Sequence, residues 1–238
     1  IDTMTYTLTP ITASPTGGNC IFLYGDEVPS KALPFKKEEI AHLTKRREAD
    51  NESLVVLRRY AKDGSCESLF VQNIDANLPA NESQEKLRRA ACKIQKTLIN
   101  EKITSITVTG EGILPEEMAA FLEGLYLSNY RFDKYMSKKD TLLEEVMVDD
   151  RFLKPDELER SLKLWKRVCQ CRDWVNEPVM ALNAERFASQ LEAEAKRVGV
   201  KATVFGQKQI ESLKMGGLLA VNRGGVDEDR FVVLEDKP

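Results

Sequence analysis

Hydrophobic positions recur along this chain in two rhythms, and the switches between them mark its elements. Residues 3–8 (TMTYTL) alternate and predict a strand, while residues 20–24 (CIFLY) are an unbroken apolar run suited to a strand buried on both faces. Residues 12–19 (TASPTGGN) between them are turn-forming. Residues 36–47 are charged and helical, with Ile40 and Leu43 as inward contacts. Residues 54–60 (LVVLRRY) and 67–74 (ESLFVQNI) flank Asp63-Gly64, the signal of a hairpin. From Asn81 to Asn100 the rhythm is helical, with Leu87, Ala91, Ile94 and Leu98 on one face. Residues 103–109 (ITSITVT) are β-branched at nearly every position and predict a strand that turns at Gly110 and Gly112. Pro115 opens a helix with Met118, Phe121, Leu122 and Leu125 inward, and residues 141–148 (TLLEEVMV) predict a strand.

A junction is expected at Asp149–Pro155, where Pro155-Asp156-Glu157 has the form of a helix start. Leu158, Leu162, Trp165 and Cys169 then share one face of a long helix that must stop before Pro178. Asn183 begins a further helix, with Phe187, Leu191 and Ala195 apolar and Gly199 at its end. Residues 201–205 predict a strand and 207–214 a short helix closed by Gly216-Gly217. Residues 218–221 and 231–234 predict two more strands. The expected fold class is α/β: a three-layer N-terminal sandwich with a mixed sheet over residues 1–150, a linker helix over 151–178, and the first elements of a second α/β domain over 179–238.

Composition narrows the function classes. Hydrophobic content of 42% with 31% charged residues fits a soluble globular protein, and no apolar run approaches a membrane span. The formal net charge of −3 gives no reason to expect a nucleic-acid partner. The first ten residues lack a basic head and an apolar stretch, so they do not read as a secretory signal, and the absence of an initial Met suggests a processed or cut chain.

Candidate chemistry is sparse. Cys20, Cys66, Cys92, Cys169 and Cys171 are odd in number and irregularly spaced, which suits free thiols in a reducing compartment rather than a disulfide framework. Cys169 and Cys171 point about 200° apart on a helix and cannot share a metal. His42 is the only histidine and falls in a polar helical run, as a solvated side chain would. Glu116-Glu117, Glu144-Glu145, Asp149-Asp150 and Asp227-Glu228-Asp229 are acidic clusters where exposed carboxylates are common. Gly216-Gly217 and Gly224-Gly225 suit element ends better than anion-binding nests. The phosphate-loop, dinucleotide, H-E-x-x-H and G-x-S-x-G motifs do not occur. No residue is therefore assigned a catalytic, metal-binding or cofactor-binding role.

An ordered set of segments carries more information than any one motif. Residues 172–223 contain W-V-N-E-P, L-N-A-E-x-F and L-K-M-G-G-L-L-A-V-N-R, and R-F-V-V-L-E follows at 230–235. Earlier, Glu123, Gly124, Tyr130, Phe132, Asp133 and Tyr135 form a second pattern within FLEGLYLSNYRFDKYMSKK, whose aromatics are expected to pack on the sheet at a helix end. These segments resemble the leucine aminopeptidase (cytosol aminopeptidase) family of metallopeptidases. The resemblance implies a macro-like, non-catalytic N-terminal domain followed by the start of a zinc-peptidase-like catalytic domain. It also implies a cytoplasmic, hexameric enzyme that removes N-terminal residues from peptides. Two divalent cations, Mn or Zn, would polarise the scissile carbonyl and activate a bridging water. In the family, G-K-G-x-x-x-D-[ST]-G-G and N-T-D-A-E-G-R runs hold those cations. Neither occurs in these 238 residues. The expectation is a scaffold that is inactive alone, with the catalytic core beyond Pro238 and the part after about residue 155 unstable without it. The alternatives are a macro-like nucleotide- or DNA-binding module and a purely structural assembly domain.

Overall fold

The computed structural model describes residues 6–12, 17–25, 35–50, 53–75 and 77–236. Two compact units divide the chain, Ile1–Cys171 and Arg172–Pro238.

The first unit is built on a six-stranded sheet. Its strands are β1 (Thr7–Ile11), β2 (Cys20–Tyr24), β3 (Leu54–Tyr60), β4 (Cys66–Asn73), β5 (Ser105–Glu111) and β6 (Glu145–Asp149), and its helices are α1 (Lys37–Asp50), α2 (Ala80–Asn100), α3 (Pro115–Asn129) and the first part of α4 (Pro155–Asn176). The strand order is β1-β6-β5-β2-β4-β3. Every neighbouring pair is parallel except β3 with β4, which form the hairpin expected around Asp63-Gly64. The sheet is mixed for that reason. The β1 edge follows strand chemistry: it is largely exposed and carries Pro10, whose missing N–H costs least at an edge.

Burial explains the CIFLY run. β2 lies between β4 and β5, and all five of its residues are buried. Alternation sends Ile21 and Leu23 to one face, where Phe70, Ile106, Val108, Val146 and Val148 join them under the buried stripes of α2 and α3. Cys20, Phe22 and Tyr24 go to the other face, against Leu43 of α1. Three layers result. The large core contains the residues marked by helical spacing: Leu87, Ala91, Ile94 and Leu98 of α2 are at most 3% exposed, as are Met118, Phe121, Leu122 and Leu125 of α3. Each of these side chains larger than alanine contributes about 1.5–3 kcal/mol by leaving water. Trp165 and Cys169 of α4 join this core, with the Trp165 ring 5.4 Å from that of Tyr126, which in turn meets Tyr6 edge-on at 5.1 Å.

α2 and α3 pack closely against each other. A side chain at Gly124 would place its Cβ 2.6 Å from both Cα and O of Arg88, so only glycine allows this approach. Beside it Arg88 Nε donates to Glu123 at 2.6 Å. About two turns on along α2, Gln95 Nε2 donates to Asn129 Oδ1 at 2.6 Å, and Asn129 holds both the N–H and the carbonyl of Leu143. Two ion pairs fasten the β3 edge to helices on either face: Arg59 with Glu39 of α1, and Arg58 with Glu101 at the end of α2.

The second unit contains the end of α4, then α5 (Ala184–Val198), β7 (Lys201–Phe205), α6 (Gln207–Ser212), α7 (Gly216–Val221) and β8 (Phe231–Glu235), with β7 and β8 antiparallel. Asn183 caps α5 by accepting from the Arg186 N–H, and Gly199 ends it at φ 80°. Trp174 packs edge-on against Phe187 at 5.3 Å, and its indole N–H donates to Gln190 at 2.8 Å.

Several expectations are corrected. Residues 218–221 are helical, not a strand: Leu219 N–H reaches the Met215 carbonyl and Asn222 N–H reaches that of Leu218. A four-residue apolar run carries no period, and the helix-forming Leu-Leu-Ala decides here. Gly216-Gly217 therefore opens α7 rather than closing α6, and Lys214, at φ 54°, makes the break. The strand expected at 141–148 begins only at Glu145, and that at 103–109 is shifted to Ser105–Glu111. Strand β1 runs over Thr7–Ile11 rather than 3–8, and residues 3–5 of that expectation, like 13–16 of the 12–19 loop, lie outside the described residues. Of the aromatics at the end of α3, Tyr130 packs against the large core as expected, but Phe132 and Tyr135 do not join it. They pair with each other at 5.9 Å, and Tyr135 is 57% exposed.

Two outcomes follow from this packing. Gly124→Ala forces α2 and α3 apart and lowers stability by about 1–3 kcal/mol, read from the urea midpoint; an unchanged midpoint would mean the crossing tolerates a methyl. Hydrogen bonds from Arg59 and Arg58 hold the Glu39 and Glu101 carboxyls below the usual glutamate range, against the opposing effect of burial. Depressed folded values give stabilisation that is complete above the unfolded glutamate value of about 4.3 and is lost as pH falls below it. The drop in urea midpoint between neutral and acid pH should shrink in an E39Q/E101Q variant, and an undiminished drop would assign the acid sensitivity elsewhere.

Candidate functional site

The side chains with chemical potential are dispersed. His42 is exposed on α1. Cys169 is buried and Cys171 exposed, on different faces of α4, as their spacing requires. Burial pushes the Cys20 thiol up to about 12, with Arg59 opposing only weakly, so it is inert at neutral pH. Among the described residues no three His, Cys, Asp or Glu side chains converge as metal ligands.

Each acidic cluster has a visible occupation. Glu117 belongs to the first turn of α3, where its carboxylate accepts from the Leu114 N–H at 2.9 Å and from Ser83 at 3.0 Å. Glu145 accepts from Ser105 across the β5–β6 pair. Asp149 is the most buried of these groups, at the carboxyl end of β6. Its oxygens accept from Thr109 Oγ1 at 2.7 Å, from the Arg151 backbone N–H, and from the Arg151 guanidinium. Burial alone would raise its pKa, but the Arg151 and Thr109 hydrogen bonds outweigh it and hold the carboxyl below its ordinary value. Asp149 thus ties the ends of β5 and β6 together as a satisfied structural anion.

In the second unit Asp227, Glu228 and Asp229 border a cleft of about 580 Å³ together with Glu211, Arg223 and Gln207. Asn222 shapes its rim: its side-chain amide donates to the Asp227 carbonyl at 2.8 Å, and its own carbonyl accepts from Gly225 N–H at 2.7 Å. Glu228 is paired with Arg230, and the Asp229 N–H donates to Gln207. The Gly224-Gly225 pair is therefore part of a turn closed on Asn222.

A second cleft, of about 700 Å³, lies in the first unit between α2, the end of β4 and the end of α1. Arg47, Lys86, Arg89 and Lys93 border it against Glu48 and Asp75. Sequence reading missed it because its walls come from three separated segments, each polar in an ordinary way. The i, i+3, i+7 spacing of Lys86, Arg89 and Lys93 on one helix face was the available signal.

Comparison with known proteins connects both units to one family. A model described as "Cytosol aminopeptidase family, N-terminal domain" matches residues 78–139, and one described as "Cytosol aminopeptidase family, catalytic domain" matches residues 169–238. Among curated relatives, a probable cytosol aminopeptidase of Chlorobium limicola is 33% identical over 175 residues, covering 63% of this chain and 35% of the relative. That of Aquifex aeolicus is 26% identical over 230 residues, covering 92% of this chain and 45% of the relative. The chain thus spans less than half the length of these relatives. Among solved structures, a mutant of tomato leucine aminopeptidase superposes with a TM-score of 0.71 at 16% identity, covering 97% of this chain and 50% of that one. The bottromycin maturation enzyme BotP in complex with Mn gives 0.65 at 22% identity, covering 92% and 45%. With both domain models matched in sequence order, and the fold shared with the tomato structure, this chain belongs to the cytosol aminopeptidase family, with its N-terminal domain and the start of its catalytic domain.

Proposed function

We propose that this chain serves a metal-dependent aminopeptidase that removes N-terminal residues from peptides by two-metal hydrolysis, with residues 1–150 as the non-catalytic domain, 151–178 as the linker helix and 179–238 as the opening of the catalytic domain. The observation that carries the reading is the match to both family domains along one chain. The strand order and the three layers support a macro-like architecture for the first of them.

The metal chemistry belongs to other residues of the enzyme. Among the described residues no three potential ligands converge, and Asp149 is bound by an arginine and a hydroxyl and Glu228 by Arg230. The contribution of these residues is scaffold and access control within a cytoplasmic hexamer that uses Mn or Zn. The second unit has apolar surface to contribute to such an assembly: Val175, Val179, Met180, Val221 and Val226 are each more than 70% exposed.

Two experiments test this. The purified 238-residue chain should release no leucine from a leucyl anilide with added Mn²⁺ or Zn²⁺. The protein isolated from its source, in whatever length it is made there, should release it and lose the activity to a chelator. Absence of chelator-sensitive activity from the isolated protein would end the peptidase reading. Limited proteolysis of the 238-residue chain should leave a core containing the six-stranded sheet and degrade Lys201–Glu235; a resistant fragment retaining β7 and β8 would show that the second unit needs no further cover.

A further inference from the structure

The 700 Å³ cleft of the first unit has a composition that the peptidase reading does not use. Its volume is in the range of small-molecule sites. Its floor is apolar, with Leu54, Ile74 and Leu87. Its rim is cationic: four basic side chains against two carboxylates, in a chain whose net charge is −3. Arg89 is paired with Glu85, and Arg47 lies over the Tyr24 ring. Lys86 and Lys93 form no ion pair or hydrogen bond among the described residues. They stand two turns apart on α2, about 10 Å along its axis, so one anion lies within reach of both flexible side chains.

A second observation is independent of the charges. Gln72 borders the same cleft and is 5% exposed. Its Nε2 donates to the Asn73 carbonyl at 2.8 Å, which fixes the orientation of the amide. Its Oε1 accepts no hydrogen bond from the described residues. That oxygen keeps contact with solvent, so it is an acceptor left open to a donor group of a ligand.

We propose that this cleft binds a small phosphate-bearing organic molecule: an apolar or ring body on Leu54, Ile74 and Leu87, an amine or hydroxyl donating to Gln72 Oε1, and the phosphate between Lys86 and Lys93. An extended polyanion fits less well, because Glu48 and Asp75 interrupt the cationic border. The inference is independent of the peptidase reading and survives or fails without it.

The test is calorimetric titration of the 238-residue chain at low salt with three probes: adenosine monophosphate, which has ring, donors and phosphate, adenosine, which lacks the anion, and inorganic phosphate, which lacks the body. The monophosphate should bind saturably, with a dissociation constant below about 1 mM, and at least about tenfold more tightly than either fragment. K86E/K93E should weaken it at least about tenfold through the lost phosphate contacts. Q72L should weaken it without changing the affinity for inorganic phosphate. K62E, which alters charge in the exposed β3–β4 turn, is the control and should leave binding unchanged. Failure of all three probes to bind overturns the proposal. So does binding that K62E reduces as much as K86E/K93E does, or that ignores K86E/K93E, since the anion would then be held elsewhere.

Discussion

The first unit depends on how closely two helices can approach. At Gly124 the surface of α3 has no side chain, and the backbone of α2 at Arg88 occupies that space. This contact sets the depth at which both helices lie on the sheet. It brings the buried stripes Leu87–Leu98 and Met118–Leu125 into one core with the strands. Its polar surroundings follow from the same geometry. Arg88 reaches Glu123 because they flank the crossing, and Gln95 reaches Asn129 because two helices packed this tightly also align their next turns. Asn129 then fixes Leu143, and the chain from Tyr130 to Thr141 can remain irregular because both its ends are held.

The two faces of the sheet solve different problems. The face under α2 and α3 is mainly apolar, with branched residues at alternate positions of its inner strands, although β4 also places the buried polar residues Ser68 and Gln72 on it. The opposite face is apolar only under α1. Toward β5 and β6 it carries Thr107, Thr109 and Asp149, all buried. A carboxylate is tolerable there because every approach to it ends in a donor: a threonine hydroxyl, a backbone N–H and a guanidinium. Of the Asp149-Asp150 pair, expected as solvated carboxylates, Asp149 is instead buried and already bound. Arg151, the adjacent residue, already supplies the countercharge.

How much of this was legible in the sequence depended on the range of the interaction. Elements set by local rhythm were legible: CIFLY as an interior strand, the α2 face at Leu87, Ala91, Ile94 and Leu98, the Asn183 cap, and the Gly199 stop. Residues 218–221 were not, since four apolar residues contain too little pattern to separate helix from strand. The Glu123-Gly124 pair was recognisable as part of a family pattern, but its reason is a contact with a residue 36 positions earlier, Arg88, which no spacing rule reveals. The cation-lined cleft was illegible for the same reason. Arg47, Gln72 and Lys86 are each ordinary surface or strand residues until β4 places them around one volume.

The units also differ in how they reach stability. Among its described residues, the second unit buries Ala188, Ala195 and Ile210 as its apolar core, two of them alanines. Its better contacts are pairwise, such as Trp174 with Phe187 and Phe205 with Phe231. Ordering a chain costs conformational entropy at every residue, while the return scales with apolar area removed from water. A cluster this small returns little, and the two-stranded ribbon of β7 and β8 is marginal in water unless other elements pack on it. The first unit has no such deficit, with three fully buried phenylalanines and a continuous core across six strands. The two units therefore differ in kind: the first has a continuous core across its sheet, and the second, among its described residues, is held mainly by pairwise contacts.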